Sequence, residues 1–290
     1  MSKSQEVLQT YCLNCGTSIA GDFCYSCGQS VRENSDRSIS QLLGEILGNL
    51  FFLDNRFFLS LRYLLFSPGR MTVEFLEGKR KKFISPVTLF LFLNLIYFFA
   101  SQLSDYSISL FDQVVGQPYS EWAVQSLKEK MIYKELDLGK MVKEGLNISD
   151  YGVTYQTMSD TISKTIMIVN VPIIAGFVYL LAFMKRRFYY DSLIFAFHFF
   201  TLYLASWIML SWVGDLFFLL AIPESSLVSD ICFYLFLFFI PMVYAMLSIK
   251  KFMDIKWYWA IPAGLLIVGS VTLVNMFYRG IIFWLTLWAT

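Results

Sequence analysis

The sequence predicts an all-α polytopic membrane protein: five transmembrane helices, further helices lying in the membrane interface, and a small N-terminal four-cysteine zinc ribbon. Three observations carry this expectation. Hydrophobic residues make up 57% of the chain and charged residues 16%, where an ordinary soluble domain has about 25% charged. Five windows free of charge are each long enough to cross a bilayer. Two C-x-x-C pairs stand close together near the N-terminus. The net charge of +1 gives no excess to attract nucleic acid, so no nucleic-acid partner is expected.

In chain order, Met1-Ser2-Lys3-Ser4-Gln5-Glu6 lacks the basic-then-apolar pattern of a signal peptide, so the N-terminus is expected to stay in the cytosol. Residues 1–30 form the first expected domain. Cys12, Cys15, Cys24 and Cys27 come as two pairs, each followed by glycine (Gly16 and Gly28). Each pair can grip one Zn²⁺ from a tight turn, and two such turns complete a closed tetrahedral site. Disulfides are the rival reading, and a cytosolic compartment argues against them. A structural zinc ion would fold a module too small to build its own core.

Residues 31–82 read as a linker followed by interfacial amphipathic helices. Ile39, Leu42, Leu43, Ile46, Leu47 and Leu50 recur at helical spacing. Arg56 and Arg62 then stand among Phe57, Phe58, Leu61, Leu64 and Leu65, and Pro68-Gly69 breaks that segment. None of these stretches is long enough without charge to span, so arginines would face headgroups and aromatics the acyl chains. A soluble helical hairpin packed on itself is the alternative. Lys79, Arg80, Lys81 and Lys82 close this region and form a candidate site for lipid headgroups or a partner. Arg80 could hold a phosphate or carboxylate through two hydrogen bonds, which lysine cannot reproduce.

Residues 83–290 form the expected membrane domain, with spans at about 83–104, 165–184, 192–214, 231–249 and 257–278. Pro86 and Pro262 fall near helix starts, whereas Pro172 and Pro241 fall inside spans and are expected to kink them. Lys79–Lys82, then Lys185, Arg186 and Arg187, then Lys250, Lys251 and Lys256 flank alternate loops, while Asp215, Glu224 and Asp230 mark the loop between. That asymmetry predicts a multi-pass membrane protein with a cytosolic N-terminus and its C-terminus on the opposite side. Segment 105–163 would then be a small, partly helical extracytoplasmic cap.

Asn94, Asn170, His198, Cys232 and Asn275 are the polar groups within the spans. His198 is the sole histidine, and Asp191 lies seven residues before it, near the same helix face. Asn94, Asn170, Asp191 and His198 therefore form a candidate intramembrane polar site, against the reading of a histidine hydrogen-bonded for packing alone. No phosphate-binding loop, H-E-x-x-H motif or catalytic triad is legible, so no catalytic residue and no cofactor besides zinc are assigned.

The stretches CLNCG…FCYSCGQ, FLSLRYLLFSPGR and EFLEGKRKKFISPVTLFLFLNLIYFF resemble a bacterial membrane family known as domain of unknown function 3667, met chiefly in Bacteroidota. YYDSLIFAFHFF, around His198, is similar to that family's second block. Phe83 stands where the family pattern leads one to expect tyrosine. The resemblance implies a zinc-ribbon membrane protein and supplies no reaction. Three functions stay open: a non-enzymatic scaffold or regulator whose ribbon docks a protein partner or a second copy, a transporter or lipid-handling protein using a polar site near His198, and an intramembrane enzyme. The absence of an obvious inverted repeat and the paucity of intramembrane carboxylates favour the first.

Overall fold

The computed structural model describes residues 11–19, 21–30, 55–100, 109–115, 117–133, 148–185, 187–220 and 227–290. The helix expected around 39–50, Arg186, and part of the expected cap lie outside these residues. Every regular element described is helical apart from two isolated bridges in the cysteine module. The chain divides into two compact units, one of Met1–Ala100 with Ile174–Val268, the other of Ser101–Ile173 with Gly269–Thr290.

In the first unit, α1 (Asn55–Phe66) and α2 (Arg70–Leu76) precede α3 (Pro86–Ala100). These three pack with α8 (Tyr189–Leu219) and α9 (Leu227–Met253). Helix α8 is the centre of this unit, because 89% of its apolar window is buried in protein, against 28% for α9. Phe90 of α3 meets Phe197 and Phe200 of α8 at 5.8 and 6.0 Å between ring centroids. Both α1 and α2 bury one face, through Phe57, Ser60 and Leu64 and through Met71, Thr72, Glu74 and Phe75. They are thus packed onto the bundle as well as carrying the exposed aromatics Phe58 and Phe66.

Small residues set how closely the backbones approach. Gly69 precedes α2 with φ +72°, and a Cβ there would lie 2.7 Å from the Ser248 Cα of α9. Gly264, early in α10 (Trp257–Ala289), would place its Cβ 2.9 Å from the Met246 backbone nitrogen. Such contacts are the usual means of close helix approach in apolar surroundings. Pro241 lacks an N–H and would clash with the carbonyl four residues back. A π turn over Leu235–Phe239 absorbs this immediately before it.

The second unit has a core of its own. Helices α4 (Leu110–Val115), α5 (Ser120–Tyr133) and α6 (Ile148–Thr165) gather with the end of α10 around Ala123, Tyr155, Phe283 and Leu287. The Tyr278 hydroxyl donates to the Ser163 carbonyl at 2.5 Å.

Among the described residues, three helices, α8, α9 and α10, are long and apolar enough to cross a membrane. A fourth crossing is available if the pair Gly152–Thr165 and Met167–Ala182, bent by 48°, counts as one broken span. The window expected at 165–184 is therefore divided: α6 ends at Thr165, a 3-10 turn covers Met167–Val169, and α7 runs Asn170–Ala182. Thr157, Thr161 and Thr165 each bond the carbonyl four residues earlier, satisfying themselves within the helix and favouring a bend. Pro172 then falls in the first turn of α7, where proline is tolerated, just past the 48° bend. The first window, 83–104, contains α3, which at 15 residues is shorter than the roughly 20 a straight crossing needs.

Gly69→Ala should destabilise the protein by about 2 kcal/mol or more, since it adds both left-handed strain and a backbone clash. Gly176→Ala, with open space around it, should be near neutral. Thermal unfolding of the detergent-solubilised variants decides: equal midpoints would mean that α2 and α9 do not meet at Gly69.

Candidate metal centre and the basic turn it packs on

The cysteine module consists of two turns built alike and twelve residues apart. Cys12 N–H bonds the Thr17 carbonyl and Cys24 N–H the Gln29 carbonyl, at 2.8 and 2.9 Å. Gly16 N–H bonds the Cys12 carbonyl and Gly28 N–H the Cys24 carbonyl, both at 2.8 Å. Gly16 and Gly28 adopt φ +76° and +72°, a conformation that glycine takes without cost. Isolated bridges Tyr11–Ser18 and Phe23–Ser30 close each turn.

All four sulfurs lie within 4.8 Å of one another. Cys12 and Cys27 Sγ are 3.6 Å apart, and Cys15 and Cys24 Sγ are 3.5 Å apart. A disulfide needs about 2.05 Å. Tetrahedral ligands at about 2.3 Å from a metal stand about 3.8 Å apart, so the arrangement fits a tetrahedral metal ion. Cys12 and Cys24 are buried, while Cys15 is exposed. Hydrogen bonding with Thr17 holds the Cys15 thiol down at about 6, whereas burial pushes Cys27 up to about 12. Bare thiols this close resist simultaneous ionisation; a bound cation would hold all four as thiolates.

The module packs on the turn that follows α2. The buried Gln29 donates its side-chain amide to the Gly78 carbonyl at 2.7 Å. The Asn14 side chain accepts the Lys82 backbone N–H at 3.0 Å. One cysteine turn therefore grips the start of the basic stretch and the other its end. Gly78 has φ +100°, and its N–H bonds the Phe75 carbonyl while Lys79 N–H bonds the Glu74 carbonyl. This is the Schellman ending of a helix, which calls for glycine at this position. The Ile84 N–H donates to Ser60 of α1, completing the turn's attachment.

The four basic residues expected to act together are divided by the structure. Lys82 points inward: its Nζ donates to Glu74 at 2.5 Å and to the Tyr63 hydroxyl at 3.1 Å, and it lies 4.6 Å from the Tyr63 ring centroid. Glu74 also accepts from Arg70 Nε at 2.8 Å. Burial alone would raise the Glu74 pKa, but hydrogen bonds from Lys82 and Arg70 bring it below its ordinary 4.5. Burial would likewise lower Lys82, and Glu74 and Tyr63 outweigh it, leaving it raised. The Arg80 guanidinium lies over the Phe75 ring at 5.7 Å, while Lys79 pairs with Glu77 at 3.7 Å on the surface.

The candidate intramembrane residues stand on α3, α7 and α8. His198 Nδ1 and Thr72 Oγ1 of α2 are hydrogen-bonded at 2.8 Å, deep in the first unit, with Phe75 edge-on to the imidazole. Asp191 accepts the Phe188 N–H and so caps α8. Asn94 is half-buried on α3. Asn170, buried at the start of α7, belongs to the second unit. Asn14, Gln29, Glu74, Thr72 and Tyr63 were not singled out by sequence. Glu74 carried the best available signal, as an acid one helical turn after Arg70 and eight residues before Lys82.

Fold and site together define a helical protein with helices of membrane-crossing length and a cysteine cluster of metal-binding geometry. Residues 54–98 match the model of a family described as a protein of unknown function, DUF3667. The match takes in α1, α2, the basic turn and nearly all of α3, and it leaves out the cysteine module and the His198 segment. No curated protein and no solved structure gives a significant match.

Because Glu74 has a lowered pKa in the fold, its contribution is present above the ordinary carboxylate value and is lost as pH falls through the folded one. Glu74→Gln should remove this acid-side loss from the stability profile. Lys82→Met should cost about 2 kcal/mol, and Lys79→Met, on a surface pair, well under about 1 kcal/mol. Equal costs at 79 and 82 would refute the inward role of Lys82.

Proposed function

We propose that the protein is a non-enzymatic scaffold or regulatory protein of a bacterial cytoplasmic membrane, with a structural zinc ion in its four-cysteine module. The observation that carries the reading is the pair of bonds from Gln29 and Asn14 to the two ends of the basic turn. They make the metal module part of the architecture around the family-matched segment. A donor set of four sulfurs at these spacings suits zinc, whose d¹⁰ shell imposes no geometry of its own. The exposed Tyr11, Phe23 and Tyr25 give the module an aromatic surface suited to a protein partner or a second copy. The basic turn to which the module is bonded would face anionic headgroups of the membrane.

Five crossings remain the proposed topology: the apolar run that contains α3, the bent α6–α7 pair, and α8, α9 and α10. The basic loops flanking these segments place the N-terminus in the cytosol and the C-terminus in the periplasm. A second reading, lipid handling or transport at a buried polar site, draws on one observation. His198 is buried, and its Nε2 has no hydrogen-bond partner among the described residues. A buried nitrogen in that state calls for water or a ligand. Loss of bound substrate in His198→Phe but not in a Thr72→Val control would favour this reading over the first.

Purified protein should carry one zinc per chain, and Cys24→Ser should lose it. Asn14→Ala combined with Gln29→Leu should keep the zinc yet speed amide exchange at Lys82 by about tenfold. Negligible zinc in the wild type, or unchanged exchange in the double variant, would defeat the proposal at separate steps. Topology is checked independently with reporters fused at Met1 and Thr290, which should fall on opposite sides.

A further inference from the structure

We propose that the N-terminus of α3 binds a phosphate group, carried by a lipid headgroup or free in solution, inside the family-matched segment. Two buried hydroxyls carry the inference. Ser85 and Thr88 are 9% and 4% exposed, and neither Ser85 Oγ nor Thr88 Oγ1 has a hydrogen-bond partner among the described residues. Ser85 immediately precedes Pro86, where the helix begins, and so stands at its N-cap; Thr88 is the third helical residue. An N-cap serine ordinarily accepts the N–H of the second or third helical residue. Ser85 does not, so the position that usually closes a helix is left open. Helical side chains lean toward the N-terminus, which directs the Thr88 hydroxyl to the same end.

The bonds on either side of this opening are made. Ile84 N–H donates to Ser60 Oγ at 3.0 Å, and Ser60 in turn donates to the Arg56 carbonyl at 2.7 Å. Leu89 N–H bonds the Ser85 carbonyl at 3.0 Å. Pro86 has no N–H. Between them, the N–H groups of Val87 and Thr88 make no bond among the described residues. Two N–H groups and two hydroxyls thus share one helix start, buried against α8 and without partners. Groups in that state call for water or a ligand.

Charge selects the ligand. Residues 70–88 hold five basic side chains, Arg70, Lys79, Arg80, Lys81 and Lys82, against two acids, Glu74 and Glu77. Glu74 is taken up by Arg70 and Lys82, and Glu77 faces Lys79. A helix start adds its own positive end, so an anion is favoured over a cation or a neutral ligand. The oxygens of a phosphate can accept from all four donors at once. In the topology proposed above, this helix start follows the basic turn at headgroup level, where phosphates are most concentrated. The site itself needs no bilayer; assigning a headgroup to it rests on the membrane reading.

Full-length protein in neutral detergent is probed with inorganic phosphate by equilibrium dialysis and by amide exchange of the peptide 84–90. Phosphate should slow exchange there about tenfold and raise the unfolding midpoint. Ser85→Ala combined with Thr88→Val should weaken phosphate binding at least about tenfold. Without phosphate, that variant should unfold at or above the wild-type midpoint, because neither hydroxyl has a partner to lose. A lower midpoint would make the hydroxyls structural and overturn the assignment. Ser206→Ala, whose hydroxyl already bonds the Leu202 carbonyl, should bind phosphate as the wild type does. Phosphatidylglycerol and diacylglycerol in the same micelles separate the sources. Protection by phosphatidylglycerol at lower concentration than by free phosphate, with none from diacylglycerol, assigns a headgroup; the reverse order assigns free phosphate. No protection of peptide 84–90 by either phosphate carrier, or equal binding in wild type and double variant, would overturn the proposal. The wild-type exchange decides even if the double variant fails to fold. Reporters at Met1 and Thr290 falling on one side would defeat the proposed topology and leave this site standing.

Discussion

The ion pair between Glu74 and Lys82 holds the turn from which the first unit is assembled. Glu74 is a buried carboxylate, and a lone charge there would be costly. It is stabilised by two cations arriving from opposite directions, Arg70 one turn earlier on α2 and Lys82 from beyond the turn. Lys82 can return to Glu74 because Gly78 ends α2 in a left-handed conformation and reverses the chain. Phe83 then lies against Tyr63, 5.1 Å between ring centroids, and α3 begins three residues later at Pro86. The cysteine module attaches to main-chain groups of this turn, the Gly78 carbonyl and the Lys82 N–H. Positions 79 and 81 can vary in side chain without disturbing those bonds, but the backbone path cannot change.

How much of this was legible in the sequence follows from the range of the forces involved. The four-cysteine cluster was, since two local turns with fixed ligand spacing need little from the rest of the chain. Helices α8, α9 and α10 were, since each is one long apolar run. The division near Ile166 was not, because threonine hydroxyls that bond carbonyls within α6 and favour a bend leave no mark on hydropathy. The four adjacent cations looked equivalent because net charge carries no direction. The Glu74 carboxylate and the Tyr63 hydroxyl, both receiving the Lys82 ammonium, distinguish Lys82 from its neighbours. Asp191 was paired with His198 by helical phase, yet an acid three residues into a helix is better placed to cap it, and Phe188 N–H takes it. Sequence phase gives the face a residue shares. It does not give the partner that wins its hydrogen bonds.

The His198–Thr72 pair shows how a polar contact works in such a unit. Apolar helices surrounded by acyl chains have no hydrophobic gain from associating with one another, so packing shape and hydrogen bonds decide which faces meet. A single bond of 2.8 Å between α2 and α8 fixes their register, because any sliding leaves an imidazole and a hydroxyl buried and unpaired. Phe75 sits edge-on to that imidazole, and Arg80 lies over the same phenyl ring from the turn side. Contacts thus run without a break from the cysteine module through Gly78 and Arg80 to Phe75 and His198. A metal ion would act at one end of this chain by holding two cysteine turns in fixed relation, and through them both ends of the basic turn. Without that constraint, Gln29 and Asn14 would be tethered to each other by the chain alone, and the turn would rely on Glu74 and Ser60. The cysteine module is therefore bonded to both ends of the turn within the family-matched segment, and a metal ion there would brace that turn.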